Sequence, residues 1–345
     1  MRKVLFTALI ILITVQGFAQ ELSSQYEVLD KSGISEVFER AESITFLRSV
    51  SIQQKNELLG ERYFNGASPD YPYNIKSASK SIISLLTGIA IEEGFISSVD
   101  EPISEYFPEY FERNPDSVKA NITIKNLLSM QTGLETTSRE NYGKWISSEN
   151  WAEYVLSQPL TDEPGGEMTY STGVSHLLAI IVAKASGMNT RNFAEKYLFD
   201  PLEIQAGNWD LDPQGNYMGG NNVALTPSDL LKIGQMILDS GFYNGKRVVS
   251  SQWLLDSFKT YATSPINSYN YGYMWWNRTL AGFRVYFAWG FGGQFIFLVP
   301  QLDAVVVITS KIYPTDEDRE YQHPIFDLLE HHILPALSDF NPARQ

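Results

Sequence analysis

Ser77-Ala78-Ser79-Lys80 opens an almost wholly apolar run, Ser81-Ile82-Ile83-Ser84-Leu85-Leu86-Thr87-Gly88-Ile89-Ala90-Ile91. Read as a helix that ends near Gly94, this stretch carries Ser77 in its first turn and Lys80 one turn on, on the same face. A serine hydroxyl attacks a carbonyl poorly until something removes its proton, and an amine of lowered pKa can do that. Burial lowers a lysine pKa because desolvation disfavours the charged form. The free N–H groups and partial positive charge of a helix N-terminus suit a developing oxyanion. Four consecutive residues thus offer a nucleophile, a base and part of an oxyanion hole. The plain alternative is a capping serine followed by a solvated lysine, and a helix this apolar leaves little solvated face for it.

The flanking sequence reads as an α+β fold. Residues 43–64 form two strands, with Ile44, Phe46, Leu47, Val50 and Ile52 in the first and Leu58, Leu59, Tyr63 and Phe64 in the second. Gln53–Glu57 is the turn between them. Residues 98–160 are helical and loop-rich, with Thr123 capping Ile124–Met130. A second apolar helix runs from Val174 to Ser186 and stops at Gly187. Thr226-Pro227-Ser228-Asp229 starts another, with threonine as N-cap and proline at the first helical position. The tail turns to strands at Arg284–Ala288, Gln294–Val299 and Ala304–Thr309, with a last helix over Pro324–Leu337. Strands at both ends and helices between predict one sheet built from both termini, with a mainly helical insertion. The sheet lobe then takes roughly residues 40–75 and 225–340, the helical lobe roughly 76–224, in one domain over 20–345.

Bulk properties narrow the function. With 345 residues, 43% of them hydrophobic, the chain can bury a large core. A formal charge of -14 argues against nucleic acid as a partner. Residues 1–19 read as an export signal: basic Arg2 and Lys3, an apolar run Val4–Val15 too short to span a bilayer, and small residues ending at Ala19. Cleavage after Ala19 would leave a periplasmic or secreted protein without an integral membrane span. There is no cysteine, which excludes disulfides and thiol catalysis. No metal helix of the His-Glu-x-x-His type and no G-x-S-x-G elbow occur, so neither metal nor cofactor is expected. His176 reads as a packed or capping residue, His331 and His332 as members of the last helix, and Asp229, Asp303 and the other acids as surface groups.

Two further constellations carry chemistry. Tyr170-Ser171-Thr172 follows a Pro-Gly-Gly turn and precedes the second apolar helix; a phenol near an ammonium can relay a proton and share the base role. Trp289-Gly290-Phe291-Gly292-Gly293-Gln294 lies between two β segments, where glycines let backbone approach a ligand closely. Backbone N–H groups there can complete an oxyanion hole with that of Ser77. A core tyrosine and a tight hairpin are the bland readings of these two stretches.

In this order the three constellations resemble the serine β-lactamase and penicillin-binding-protein superfamily, including class C β-lactamases, DD-peptidases, related esterases and 6-aminohexanoate-oligomer hydrolases. S-x-x-K is a signature of that group. Leu127–Leu134, Tyr271–Trp276 and the stretch from Trp289 to Thr309 add to the likeness. The resemblance implies a β-lactamase/transpeptidase-like fold with Ser77 as acylated nucleophile, Lys80 as its paired base and Tyr170 as the tyrosine of the second motif. It also implies Gly290, Gly292, Gly293 and Gln294 as the third-motif, oxyanion-side strand. Whether Lys80 or Tyr170 takes the proton stays open at this point.

Two departures shape the expected substrate. The second motif usually reads Tyr-x-Asn, and Thr172 stands in its third place. The third usually begins with lysine or histidine, which holds a substrate carboxylate. Here Gly290-Phe291-Gly292, or Ala288-Trp289-Gly290, offers no basic residue. Arg278 or Arg284 are the candidates to replace it. The expected partner is a small-molecule or peptide-like ester or amide, with Trp275, Trp276, Trp289 and Phe291 as an apolar pocket. A β-lactamase or D-Ala-D-Ala peptidase is the alternative, and a penicillin-binding or cell-wall-sensing module that does not turn over is a second.

Overall fold

A computed structural model describes residues 33–312 and 320–339. The expected export segment and its cleavage point lie outside the described residues. Among the described residues no helix is long and apolar enough to cross a membrane.

The two N-terminal strands are β1 (Leu47–Gln54) and β2 (Glu57–Tyr63). Their turn is tighter than the five residues expected. Lys55 and Asn56 both have positive φ, 50° and 62°, the twist that a two-residue hairpin demands. Six more strands follow late in the chain: β3 (Ala262–Thr263), β4 (Asn270–Tyr271), β5 (Trp276–Leu280), β6 (Phe283–Gly290), β7 (Gln294–Val299) and β8 (Ala304–Ser310). They form one antiparallel sheet in the order β2-β1-β8-β7-β6-β5-β4-β3. The first strand therefore pairs with the last, Val50 opposite Ile308 and Ile52 opposite Val306. The sheet is built from both chain ends, an α+β fold of the β-lactamase/transpeptidase-like kind. Residues 262–280 carry too few alternating apolar positions to read as strands from sequence alone.

Both faces of the sheet are covered, which is why β7 and β8 are buried along their whole length instead of alternating. One face holds α1 (Ile34–Glu42) and the C-terminal helices. There Phe326 meets Phe287, Phe295 and Phe297 at ring distances of 5.5, 5.6 and 5.7 Å. The expected single last helix is α6 (Gln322–Leu328), a π turn over Leu329–Ile333 and a final segment, α7 (Leu334–Asp339). The other face holds α5 (Pro227–Leu238), whose Gly234 lies so close that a Cβ would stand 2.4 Å from Val305. The start of α5 is the predicted one, a capping box between Thr226 and Asp229 with Pro227 at the first position. Asp229 is not the surface group expected of it: its carboxylate is buried and accepts the Thr226 N–H at 3.0 Å.

The helical part centres on α2 (Ser79–Glu92) and α4 (Thr172–Ser186), which pack against each other. Both are apolar on nearly every side and both are enclosed. Gly94 and Gly187, at φ of 76° and 68°, turn the chain out of them. Short helices surround the pair, among them α3 (Ile124–Leu128), capped by Thr123 with Asn126.

Candidate active site

Ser77 does not lie in α2 itself. It sits in the 3₁₀ turn Lys76–Ala78 at the head of that helix. Lys76 holds a left-handed φ of 50°, a conformation that a side chain with Cβ adopts only when neighbours impose it. They do. Asn74 Oδ1 accepts the Lys76 N–H at 2.8 Å, and Ser79 Oγ donates to the Lys76 carbonyl at 2.6 Å. The Val223 N–H donates to Ser79 Oγ at 3.1 Å, and the Ile75 N–H to the Val223 carbonyl at 2.9 Å. The turn that presents Ser77 is thus pinned to residues 222–225.

Lys80 follows one turn after Ser77, as the second residue of α2, and is fully enclosed. Its Nζ lies 3.1 Å from Ser77 Oγ, 3.4 Å from Thr172 Oγ1 and 2.6 Å from the Gly220 carbonyl oxygen. Burial brings its pKa down from 10.5 to about 7. A neutral amine has two N–H groups and one lone pair. With the Gly220 carbonyl and the Thr172 hydroxyl as acceptors for the former, the lone pair is left for the serine hydroxyl. The Tyr170 ring lies beneath the same nitrogen, 5.0 Å away at its centroid. Its phenol hydrogen-bonds Ser77; burial nevertheless holds its pKa well above the ordinary tyrosine range, so the phenol keeps its proton at neutral pH.

The hairpin between β6 and β7 closes the fourth side. A Cβ on Gly290 would stand 2.1 Å from the Ile75 carbonyl oxygen, so backbone meets backbone two residues before Ser77. Strand β5 pairs with β6 only as far as Phe287, which leaves the edge from Ala288 to Gly290 open beside the serine.

The profile of the beta-lactamase family matches residues 48–328 of this chain. The chain belongs to that family. It is 26% identical over 296 residues to the 6-aminohexanoate-dimer hydrolase of Paenarthrobacter ureafaciens, across 77% of this chain and 72% of that one. Its fold is similar to the class C beta lactamase from Rhodobacter sphaeroides, with a TM-score of 0.63 at 17% identity over 88% of this chain and 100% of that one. The penicillin binding protein from Bacillus halodurans gives 0.66 at 14% identity, over 83% and 98%.

Against the usual beta-lactamase family motifs, the structure gives a substitute for one departure and none for the other. Thr172 offers Lys80 a hydroxyl in place of the usual asparagine amide, and that hydroxyl is held by Ser138 Oγ at 2.8 Å. No cation replaces the missing third-motif residue among the two proposed. Arg278 donates to the Tyr269 hydroxyl at 2.7 Å and stacks on the rings of Tyr269 and Phe326. Arg284 lies six residues from Gly290 along β6, about 20 Å away, and donates to Asn277.

The other expected residues divide. The Gly292 N–H and the Trp289 indole N–H both point at the Tyr321 phenol oxygen. The Gly293 N–H donates to the Gly290 carbonyl at 3.2 Å. The amide left without a partner among the described residues is that of Phe291, next to Gly290. Gln294 locks the end of β7 to β8 with its side chain, donating to the Ser310 carbonyl at 2.9 Å and accepting its N–H at 3.1 Å. Trp276 stacks on Tyr170 at 5.7 Å, and Trp289 packs on Trp276 at 5.6 Å. Phe291 is 55% exposed at the hairpin tip. Trp275 is not in a pocket: it is 0% exposed and packs on Phe258 in the core, because it points to the opposite side from its neighbour Trp276.

Sequence reading missed Gly220, the nearest partner of the Lys80 nitrogen. Only the glycine doublet Gly219-Gly220 marked it. A Cβ on Gly220 would stand 2.3 Å from Ser175 Oγ, and one on Gly219 2.4 Å from the Ser175 carbonyl; the doublet exists so that this loop can lie flat on the start of α4.

Proposed function

We propose that the protein is an exported serine hydrolase that cleaves an ester or amide through an acyl-enzyme on Ser77. Lys80 is the acylation base. Its enclosed nitrogen 3.1 Å from Ser77 Oγ, with burial bringing the pKa down to about 7, carries this reading. Tyr170 keeps its proton and so acts as relay and as donor to the leaving group, in place of a phenolate base. Ser77 Oγ bonds to the carbonyl carbon as its proton passes to Lys80. The oxyanion is held by the N–H groups of Ser77 and Phe291. The leaving amine or alkoxide departs with the proton, and water reverses the steps to free the acid.

The absence of a cation at the Gly290 end of the third-motif strand favours substrates without an obligatory carboxylate there. The relative named for hydrolysis of the 6-aminohexanoate dimer supports a substrate other than a β-lactam. The aromatic wall of Trp276, Trp289 and Phe291 suits an apolar acyl chain. The test is residues 20–345 assayed on a short p-nitrophenyl ester, a linear 6-aminohexanoate dimer and a chromogenic cephalosporin, with intact mass read in parallel. Ester or amide turnover that Ser77→Ala abolishes is the expected result. Undiminished turnover in folded Ser77→Ala would overturn the assignment. Rapid cephalosporin hydrolysis would overturn the substrate class, and a stable adduct on Ser77 without turnover would make the protein a penicillin-binding module.

A further inference from the structure

His176 is buried in the second turn of α4, against the rings of Trp145 and Trp151 at 5.9 and 5.5 Å. Its Nε2 lies 3.0 Å from Asp212 Oδ2, and the Gly219 N–H points at its Nδ1 from 3.2 Å. Asp212 is buried as well. Its carboxylate also accepts the N–H groups of Gln214 and Asn216 at 2.9 and 2.8 Å and the Asn216 side-chain amide at 2.9 Å. Burial alone would raise its pKa; the donors around it bring it below the ordinary value.

These contacts allow one protonation pattern. A carboxylate only accepts, so Nε2 carries the hydrogen. A backbone amide only donates, so Nδ1 must present its lone pair. The imidazole is therefore neutral with its hydrogen on Nε2, fixed from both sides. Gly219 is the residue before Gly220, whose carbonyl holds Lys80 Nζ at 2.6 Å. Hydrogen bonds run from Asp212 through His176 to the Gly219 N–H, and two residues of covalent backbone then lead to the Gly220 carbonyl on the base.

We infer that the His176–Asp212 pair is a positioning device for Lys80: the carboxylate fixes the imidazole tautomer, the imidazole fixes the Gly219 N–H and with it the Gly219-Gly220 backbone, and the Gly220 carbonyl aims the lysine amine at Ser77. Neither residue touches substrate. The inference rests on the proposed role of Lys80 and goes beyond it, since nothing in the serine chemistry itself calls for a histidine.

The test replaces Asp212 with asparagine. The new amide puts a donor where donors converge. His176 then moves its hydrogen to Nδ1, which faces the Gly219 N–H, and the conflict reaches the carbonyl on Lys80. Holding the wrong tautomer is costly in serine hydrolases that use a histidine directly; acting through the Gly219-Gly220 backbone, the loss is expected to be about tenfold to a hundredfold. The readout is the rate of Ser77 labelling by a fluorophosphonate against pH, per folded molecule. The midpoint of the acid limb moves to lower pH, because the ammonium loses an acceptor while staying buried. His176→Asn, whose Oδ1 can still accept from Gly219, keeps the wild-type midpoint; His176→Gln, which keeps only the reach toward Asp212, does not.

A purely structural role would lower the melting temperature of all three variants and leave labelling rate and midpoint per folded molecule unchanged. That result, or equal behaviour of the two His176 variants, overturns the inference. If Asp212→Asn does not fold, the His176 pair decides alone. Wild-type protein that is not labelled at Ser77 would instead sink the proposed function, a failure distinguishable from this one.

Discussion

Lys80 Nζ lies 2.6 Å from the Gly220 carbonyl and 3.1 Å from Ser77 Oγ, so one enclosed amine joins a glycine loop to the nucleophile. The carbonyl alone would favour an ammonium; enclosure disfavours it and prevails, bringing the pKa to about 7. The site is thus tuned by where its lysine is, with no charged partner contributing to that shift.

This tuning fixes the pH dependence. The base works only when neutral. The pH profile of kcat/KM for a neutral ester should rise about tenfold per pH unit on the acid side and level off above about pH 7. Lys80→Arg places a permanent cation there and should remove both the activity and the limb. A flat profile from pH 5 to 8 in the wild type would show that another group takes the proton.

The same burial predicts an unusual stability effect. Folding holds the lysine pKa below its unfolded value, so the folded chain gives up a proton that the unfolded chain keeps. The cost is full below pH 7, about 5 kcal/mol for the drop from 10.5 to about 7. It fades as pH rises through 7 toward 10.5, where the unfolded lysine also loses its proton. Lys80→Met, similar in length and uncharged, should therefore be inactive and more stable, by more at pH 6 than at pH 9. Thermal melts at the two pH values check the sign.

The serine, the lysine and the tyrosine were legible because each heads an apolar helix or follows a glycine turn, and local sequence reports such positions. The partner of the lysine was not. Gly220 acts through its carbonyl, which every residue possesses, and its glycine identity reflects contact with Ser175, far off in sequence. The same holds for Asp212 and Asp229. Acids read as surface groups unless a buried donor set is visible, and those donors are largely backbone amides. Trp275 and Trp276 are equal as letters, and strand alternation alone sends one to the core and the other to Tyr170. The late strands β3–β5 escaped because two of them are only two residues long and their neighbours supply the register.

Trp276 tests the aromatic wall. Its ring stacks on Tyr170 at 5.7 Å with an interplanar angle of 27°, and it is only 7% exposed. Trp276→Ala removes the support that orients the phenol. It should lower kcat about tenfold with a lesser change in KM. Phe291→Ala, at an exposed rim, should raise KM for long acyl esters and leave kcat for acetate esters unchanged. Steady-state kinetics on an acyl-length series separates the two. Equal effects on kcat would mean that Trp276 is only part of the pocket surface.

The backbone contact at the end of β6 gives the last prediction. Gly290→Ala would set a Cβ 2.1 Å from the Ile75 carbonyl oxygen, and neither strand nor turn can yield, because Ile75 is itself bonded to Val223. The hairpin must shift away from the Ser77 turn and take the Phe291 amide with it. Losing one oxyanion donor costs about a hundredfold or more in kcat. Gly282, at the other end of the same strand, is the control. Its φ of 83° makes alanine strained there too, yet nothing lies within 4 Å of its Cβ position. Gly282→Ala should lose about 1 kcal/mol of stability and keep its turnover per folded molecule. Kinetics normalised to the amount of serine that can be labelled compares the two. A Gly290→Ala protein as active as Gly282→Ala would remove the β6 hairpin from the oxyanion hole and leave Ser77 to hold the charge with some other group.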